Sequence, residues 1–275
     1  MSIDACALMV AEADPDRFGA AMCVKSLAQR ADLMVLYALN IEVSRAPWVT
    51  QEQMIAEMRL QWWKDAIDEI YGGKTVRKHE VVIPLAELVH RDPERFPRAL
   101  FDDLIEARRF DIYREPYQNR SGFNLYISNT SGNVMELAGR AVGASDLTPF
   151  QEVGWASGLA NLMGALPELY AHGRDPIPLG PIDQNAVIEG RFSEENVRNI
   201  RELAQEGLAR LSAVEIGKLP KTSRAPLFAA WNAKRVLRAV ERAPETALRR
   251  DTSASQFRRA ASLFWLNLRH GLAFG

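Results

Sequence analysis

The sequence lacks most of what would announce a function. Two cysteines, Cys6 and Cys23, stand far apart in 275 residues, which excludes a disulfide framework and points to a reducing compartment. Four histidines, His79, His90, His172 and His270, show no ligand spacing, so no zinc site is expected. No apolar run reaches about 18 residues, and nothing is expected to span a membrane. Neither sign of charge is in excess at a formal net charge of −1, which argues against the basic footprint of a nucleic-acid binder. The start, Met1-Ser2-Ile3-Asp4 followed by Glu12, Asp14 and Asp16, has neither the basic opening of a secretory signal nor the arginine-rich look of a transit peptide. The expected location is the cytoplasm, with peripheral contact to the inner membrane left open. Strand signals are missing too. Period-two alternation is rare, and the one β-like run, Val81-Val82-Ile83, meets Pro84 at once.

What is present is helical. Apolar residues recur at spacings of three and four, and 47% hydrophobic with 25% charged residues is the balance of an ordinary globular protein. The spacing predicts helices near 3–12, 26–45, 50–71, 80–90, 97–113, 121–143, 148–169, 193–216, 224–242 and 254–271. Thr50-Gln51-Glu52-Gln53 reads as a capping box, with the hydroxyl serving the amide three residues on. Gly72-Gly73 ends that helix, Thr148-Pro149 and Ser193-Glu194-Glu195 start two others, and 171–187 is the longest loop. No linker or internal repeat is visible, so residues 1–275 read as a single all-α domain.

Two segments carry the polar chemistry. On a wheel of about 100° per residue, Met54, Ile55, Met58, Trp62, Ala66 and Ile70 form one face of 50–71, with Trp62 in the core and Trp63 against a second neighbour. That arrangement suits a central helix. Opposite lie Glu57, Gln61, Lys64, Asp65 and Asp68. The acids Glu57, Asp65 and Asp68 are weak candidates for metal ligands, and a solvated face laced by Lys64 is the preferred reading. Arg59 falls inside the apolar arc, as either a buried strut to a carboxylate or an anion binder. In 107–143, Arg108, Arg109, Asp111, Tyr113 and Arg114 read either as phosphate handling around Asp111 or as surface ion pairs. Asn124, Ser128, Ser131, Gly132, Met135 and Gly139 form a stripe of mostly small residues for close helix approach. Tyr126, Asn129, Asn133, Glu136 and Arg140 form a polar stripe that is solvated or lines a wet cavity.

In their order, these segments resemble the squalene/phytoene synthase family over roughly residues 15 to 235. The resemblance rests on Asp16-Arg17-Phe18, Leu36-Tyr37-Ala38-Leu39, Phe110-Asp111-Ile112, Leu125-Tyr126 with Gly132, Gly158-Leu159-Ala160-Asn161-Leu162, and Gly173-Arg174 with Pro178. It implies an isoprenoid-synthase-like helical bundle around a central cavity. It also implies two banks of aspartates holding magnesium, and those do not carry over. The first bank falls on Ser44, Arg45 and Trp48. The second falls on Gly164-Ala165-Leu166-Pro167, where Glu168 is the one nearby acid and Pro167 should break the presenting helix. Ala38-Leu39-Asn40-Ile41-Glu42-Val43 and Met58-Arg59-Leu60-Gln61-Trp62-Trp63-Lys64 resemble a divergent branch that includes a mitochondrial complex I assembly factor.

The resemblance therefore implies a catalytically degenerate binder or assembly factor with no cofactor, whose partner is a respiratory-complex subunit or a prenyl or lipid ligand. Arg59, Arg109, Asn129, Asn161 and Arg174 are the binding candidates. The alternative is an active head-to-head prenyltransferase using magnesium, with Asp111, Tyr126 or Glu42 in catalysis. An open apolar tunnel would favour a prenyl ligand, and a cavity filled by Trp48, Trp62 or Met135 would disfavour one.

Overall fold

All the described elements are helices or helical turns. The computed structural model describes residues 3–113, 117, 119–172, 174, 176–178, 190–248 and 256–271. In chain order the helices are α1 (Ile3–Ala13), α2 (Pro15–Met22), α3 (Leu27–Arg45), α4 (Gln53–Tyr71), α5 (Val82–Arg91), α6 (Arg98–Tyr113), α7 (Arg120–Ile127) and α8 (Asn133–Ala141). They continue as α9 (Thr148–Ala171), α10 (Glu194–Ala213), α11 (Ala233–Arg242) and α12 (Gln256–Leu266). One π turn, Ser128–Gly132, joins α7 to α8 and a second, Asn267–Gly271, follows α12. Most of the expected loop 171–187 lies outside the described residues.

Local chemistry explains the boundaries. Asp14 caps α2 by accepting from Arg17 N at 3.0 Å, with Pro15 in the first turn. Ser26 caps α3 through Gln29 N, and Ser193 caps α10 through Asn196 N. Gly73 takes φ 64° just past α4, a backbone region that glycine enters without steric cost. The expected capping box at Thr50 does not form. Its hydroxyl accepts from Glu52 N, two residues on, and Glu52 stands at the N-cap without a side-chain bond. Pro167 does not break α9. Proline removes one backbone donor, and the neighbouring Met163 and Leu166 are fully buried, so packing holds the helix through the lost bond.

Two helices are central. α3 is buried almost continuously from Leu33 to Ile41, and it organises a core cluster with α1, α4, α5, α6 and α8. α9 organises a second cluster with α7, α10 and α11. Small residues let α9 approach the π turn. A Cβ on Gly158 would lie 2.5 Å from the Ser131 side chain, and one on Gly154 would lie 2.8 Å from the Ser131 carbonyl. The small-residue stripe thus does what its composition predicts.

α4 differs from its expected orientation. Its buried stripe is Ala56, Leu60, Trp63, Ala66, Ile67 and Ile70. Met54 and Met58 are 75% and 66% exposed, and Ile55 is exposed as well. Trp62 is half-buried, edge-on to Trp63 and His79. α4 therefore packs by one face, chiefly on α5 and α6, and is not a central helix.

Candidate functional site

A cavity of about 300 Å³ opens between α3, α6, the π turn after α7, and α9. Helices supply most of the wall. α9 contributes Gly158, Asn161, Leu162, Ala165 and Leu169, which recur three to four residues apart as one helix face requires. α6 contributes Arg108, Phe110 and Asp111, and α3 contributes Asn40. Arg17 of α2, Tyr117, Tyr126, Ile127, Thr130, Ser131, Arg174, Pro176 and the aromatic Trp48 complete the lining.

Its polar centre is a connected triad. Tyr126 Oη donates to Asp111, lying 2.9 and 3.0 Å from the two carboxylate oxygens, and Arg108 donates to Asp111 Oδ2 at 3.2 Å and to Tyr126 Oη at 3.0 Å. Burial raises the Tyr126 hydroxyl above the usual phenol range, and the Asp111 charge raises it further. Burial opposes the charge on Arg108, but the facing Tyr126 and Asp111 outweigh it and push its pKa upward. Arg108 Nε is buried without a hydrogen-bond partner among the described residues. Phe110 stacks on Tyr117 with centroids 4.0 Å apart, and Tyr126 leans on both. On another part of the wall the Arg174 guanidinium sits 3.6 Å over the Trp48 ring, a cation–π contact. Arg174 is 7% exposed. Arg17 is tied to Asp14 at 2.6 Å.

The charge count is lopsided. Arg17, Arg108 and Arg174 line the cavity, and among the described lining residues Asp111 is the one carboxylate. Ser44, in the first bank's place, donates its hydroxyl back to the Ile41 carbonyl at 3.0 Å. Arg45 is exposed, and of the second bank's residues Ala165 lines the cavity while Glu168 faces outward. The cavity is neither a purely apolar tunnel nor filled. Trp48 forms part of its wall, Trp62 lies in a separate groove, and Met135 is buried in the core.

The structure brings together Asp111, Tyr126, Asn161 and Arg174 as the sequence suggests, and places the other candidates elsewhere. Glu42 and Arg59 line a different groove with Ile55, Met58 and Trp62. Glu42 is two residues from Asn40, so the helix turns it about 200° away. Arg59 is exposed and not a buried strut, because at its level α4 borders that open groove. Arg109 points away from its neighbour Arg108 and forms ion pairs with Glu57 at 3.0 Å and Glu106 at 3.1 Å. Asn129 lines an outer groove with Leu125. The acids of α4 are neither clustered for a metal nor laced by Lys64. Glu57 pairs with Arg109, Asp68 with Arg98, and Asp65 accepts from Gln61, while Lys64 reaches Glu106 on α6 at 3.9 Å. They form a polar seam between α4 and α6. Arg17, Asn40 and Tyr117 line the cavity as well, beyond the site residues the sequence predicts. The amide of Asn40 inside a long apolar run was the available signal, since a buried amide needs a polar reason to be there.

Comparison with known proteins agrees with this architecture. The family described as squalene/phytoene synthase matches residues 13–259. The Bos taurus protein described as NADH dehydrogenase (ubiquinone) complex I, assembly factor 6 is 24% identical over 181 residues, covering 64% of this chain and 54% of its own. Its Drosophila melanogaster homolog is 26% identical over 212 residues, covering 69% and 62%. The chain thus spans little more than half the length of these relatives. Among solved structures, a dehydrosqualene synthase in complex with ligand superposes with a TM-score of 0.71 at 14% identity, over 97% of this chain and 95% of that one. YisP from Bacillus subtilis subsp. subtilis strain 168 gives 0.62 at 13% identity, over 95% and 94%. These two share the fold.

Proposed function

This chain belongs to the squalene/phytoene synthase family, and from that premise we propose that it uses the family's cavity to bind an anionic group without ionising a diphosphate, in service of respiratory-complex assembly. The donor set carries the reading. Magnesium takes near-octahedral oxygen coordination, usually with one or two carboxylates per ion. A trinuclear cluster of the kind the family's enzymes use needs several facing carboxylates. Asp111 stands alone among the described lining residues, and Tyr126 and Arg108 already occupy its oxygens. The described lining residues do not fit the magnesium cluster. Arg108 and Arg174 instead favour an anion held by charge-assisted hydrogen bonds. The names of the curated relatives favour complex I assembly as the setting.

The test has two arms. The purified protein is incubated with magnesium and farnesyl or geranylgeranyl diphosphate, and released inorganic diphosphate is measured. No release above the protein-free control is expected. Release that disappears in Asp111→Asn would instead make the protein a prenyltransferase. In the second arm a tagged full chain is recovered from its native cells, and a respiratory complex I subunit is expected to co-purify. Its absence, together with diphosphate release, would overturn the proposal.

A further inference from the structure

The last described helix is apolar on two sides, and only one of them is covered. α12 and its following π turn are pinned inward at three points. Arg259 Nε donates to Asp16 Oδ1 at 2.5 Å, Leu263 is buried over Gly19, and the guanidinium of buried Arg224 donates to the His270 carbonyl at 2.9 Å. These contacts fix which face turns out. At about 100° per residue, Arg258, Ala261, Phe264, Trp265, Leu268 and Arg269 share the opposite arc. Phe264, Trp265 and Leu268 are 63%, 65% and 40% exposed, with the two rings edge-to-face at 6.1 Å. Arg258 and Arg269 are exposed toward the two ends of the arc, and no acidic residue lies on it. The sequence beyond Leu248 holds five arginines and one aspartate, in a chain whose net charge is −1.

Three large apolar side chains left side by side in water mark a contact surface. Tryptophan, phenylalanine and leucine flanked by arginines are the composition of a helix lying in a lipid interface. The rings enter the headgroup layer and the guanidiniums meet phosphates. No helix among the described residues is long and apolar enough to cross a membrane, so the geometry suits lying on the surface. A second copy docked face to face would set arginine against arginine with no acid between them. We propose that the outer face of α12 seats the protein on an anionic lipid surface, with Phe264, Trp265 and Leu268 in the interface and Arg258 and Arg269 on lipid phosphates.

Flotation of the full chain with vesicles tests this, using phosphatidylcholine alone and phosphatidylcholine mixed with phosphatidylglycerol. The vesicle readout needs neither a cavity ligand nor a respiratory subunit, so it stands apart from the test of function above. The protein should float with the anionic vesicles and stay behind with the neutral ones, and added salt should release it. The double variant Phe264→Ser/Trp265→Ser should bind about tenfold or more weakly, and Arg269→Gln roughly fivefold more weakly. Both should melt at the parent temperature, since these side chains are exposed. Failure to float with anionic vesicles, or equal binding by the double variant, overturns the proposal. So does a parent that is dimeric by light scattering while the double variant is monomeric, which would assign the face to self-association.

Discussion

At the scale of single residues, charge inside this protein is stabilised by specific partners, and the effect depends on pH. Arg108, Asp111 and Tyr126 are hydrogen-bonded to one another within a buried wall, so removing one strands the others. Glu69 offers a cleaner measurement. Its carboxylate accepts from Arg77 N and Nε at 3.0 Å each and from the far guanidinium nitrogen at 2.6 Å. The Arg77 guanidinium also bonds the Trp62 carbonyl and lies 4.6 Å over the Trp62 ring. The hydrogen bonds from Arg77 hold the Glu69 carboxyl below its ordinary value. A carboxyl depressed in the folded state adds stability above its unfolded pKa and loses it as pH falls through the folded one. Glu69→Gln should therefore cost about 1 kcal/mol at neutral pH, seen as a Tm lower by roughly 2–4 °C. Thermal melts across a pH series should bring parent and variant together in acid. A gap that stays constant into the acid range would show that the ion pair is not its source.

At the scale of elements, most helices were legible because their apolar period and their stop signals agree. Legibility failed where two apolar faces compete. On α4, Met54, Ile55 and Met58 draw the wheel about 100° away from the stripe that Leu60, Trp63 and Ile67 bury. A sequence shows which residues are apolar but not which apolar face meets a neighbour. The cavity was legible through Asp111, Tyr126, Asn161 and Arg174, which sit at matching places in the family pattern. Arg17 and Asn40 fall within motifs of that pattern, but only tertiary placement turns them and Tyr117 toward the cavity. The small-residue stripe was legible, and it makes a graded prediction. A methyl on Gly154 meets the Ser131 carbonyl and the Gly132 Cα, which are backbone, whereas one on Gly158 meets mainly the Ser131 side chain. Overpacking of this kind costs about 1–3 kcal/mol. Gly154→Ala should lower Tm more than Gly158→Ala, and Ser131→Gly should restore part of the loss in Gly158→Ala but little of it in Gly154→Ala. Equal melting points for the two single variants would mean that α9 slides freely over the π turn.

At the scale of the whole molecule, the open question is whether the clusters around α3 and α9 melt as one body. Single cores stop growing near about 250–300 residues, and this chain has 275, so separate melting is a real physical option. The packing argues against it. A third cluster of Met135, Phe150, Val153 and Leu227 sits between the other two. α8 sends Val134 and Leu137 into the first cluster and Met135 into the third, while α9 sends Trp155 and Leu159 into the second and Phe150 into the third. Half-buried Ala229 packs against the first and third clusters, and Ala230 against the second and third. Unfolding either major cluster therefore strips apolar contacts from the third cluster, on which the other also packs, and this is the physical origin of a joint transition. Scanning calorimetry should give one endotherm whose calorimetric and van't Hoff enthalpies agree. Leu159→Ala and Leu36→Ala, one in each major cluster, should shift that endotherm as a whole by comparable amounts, as the loss of a fully buried leucine at about 2–5 kcal/mol requires. An endotherm that splits in either variant would show that the clusters are separate folding units joined only by chain.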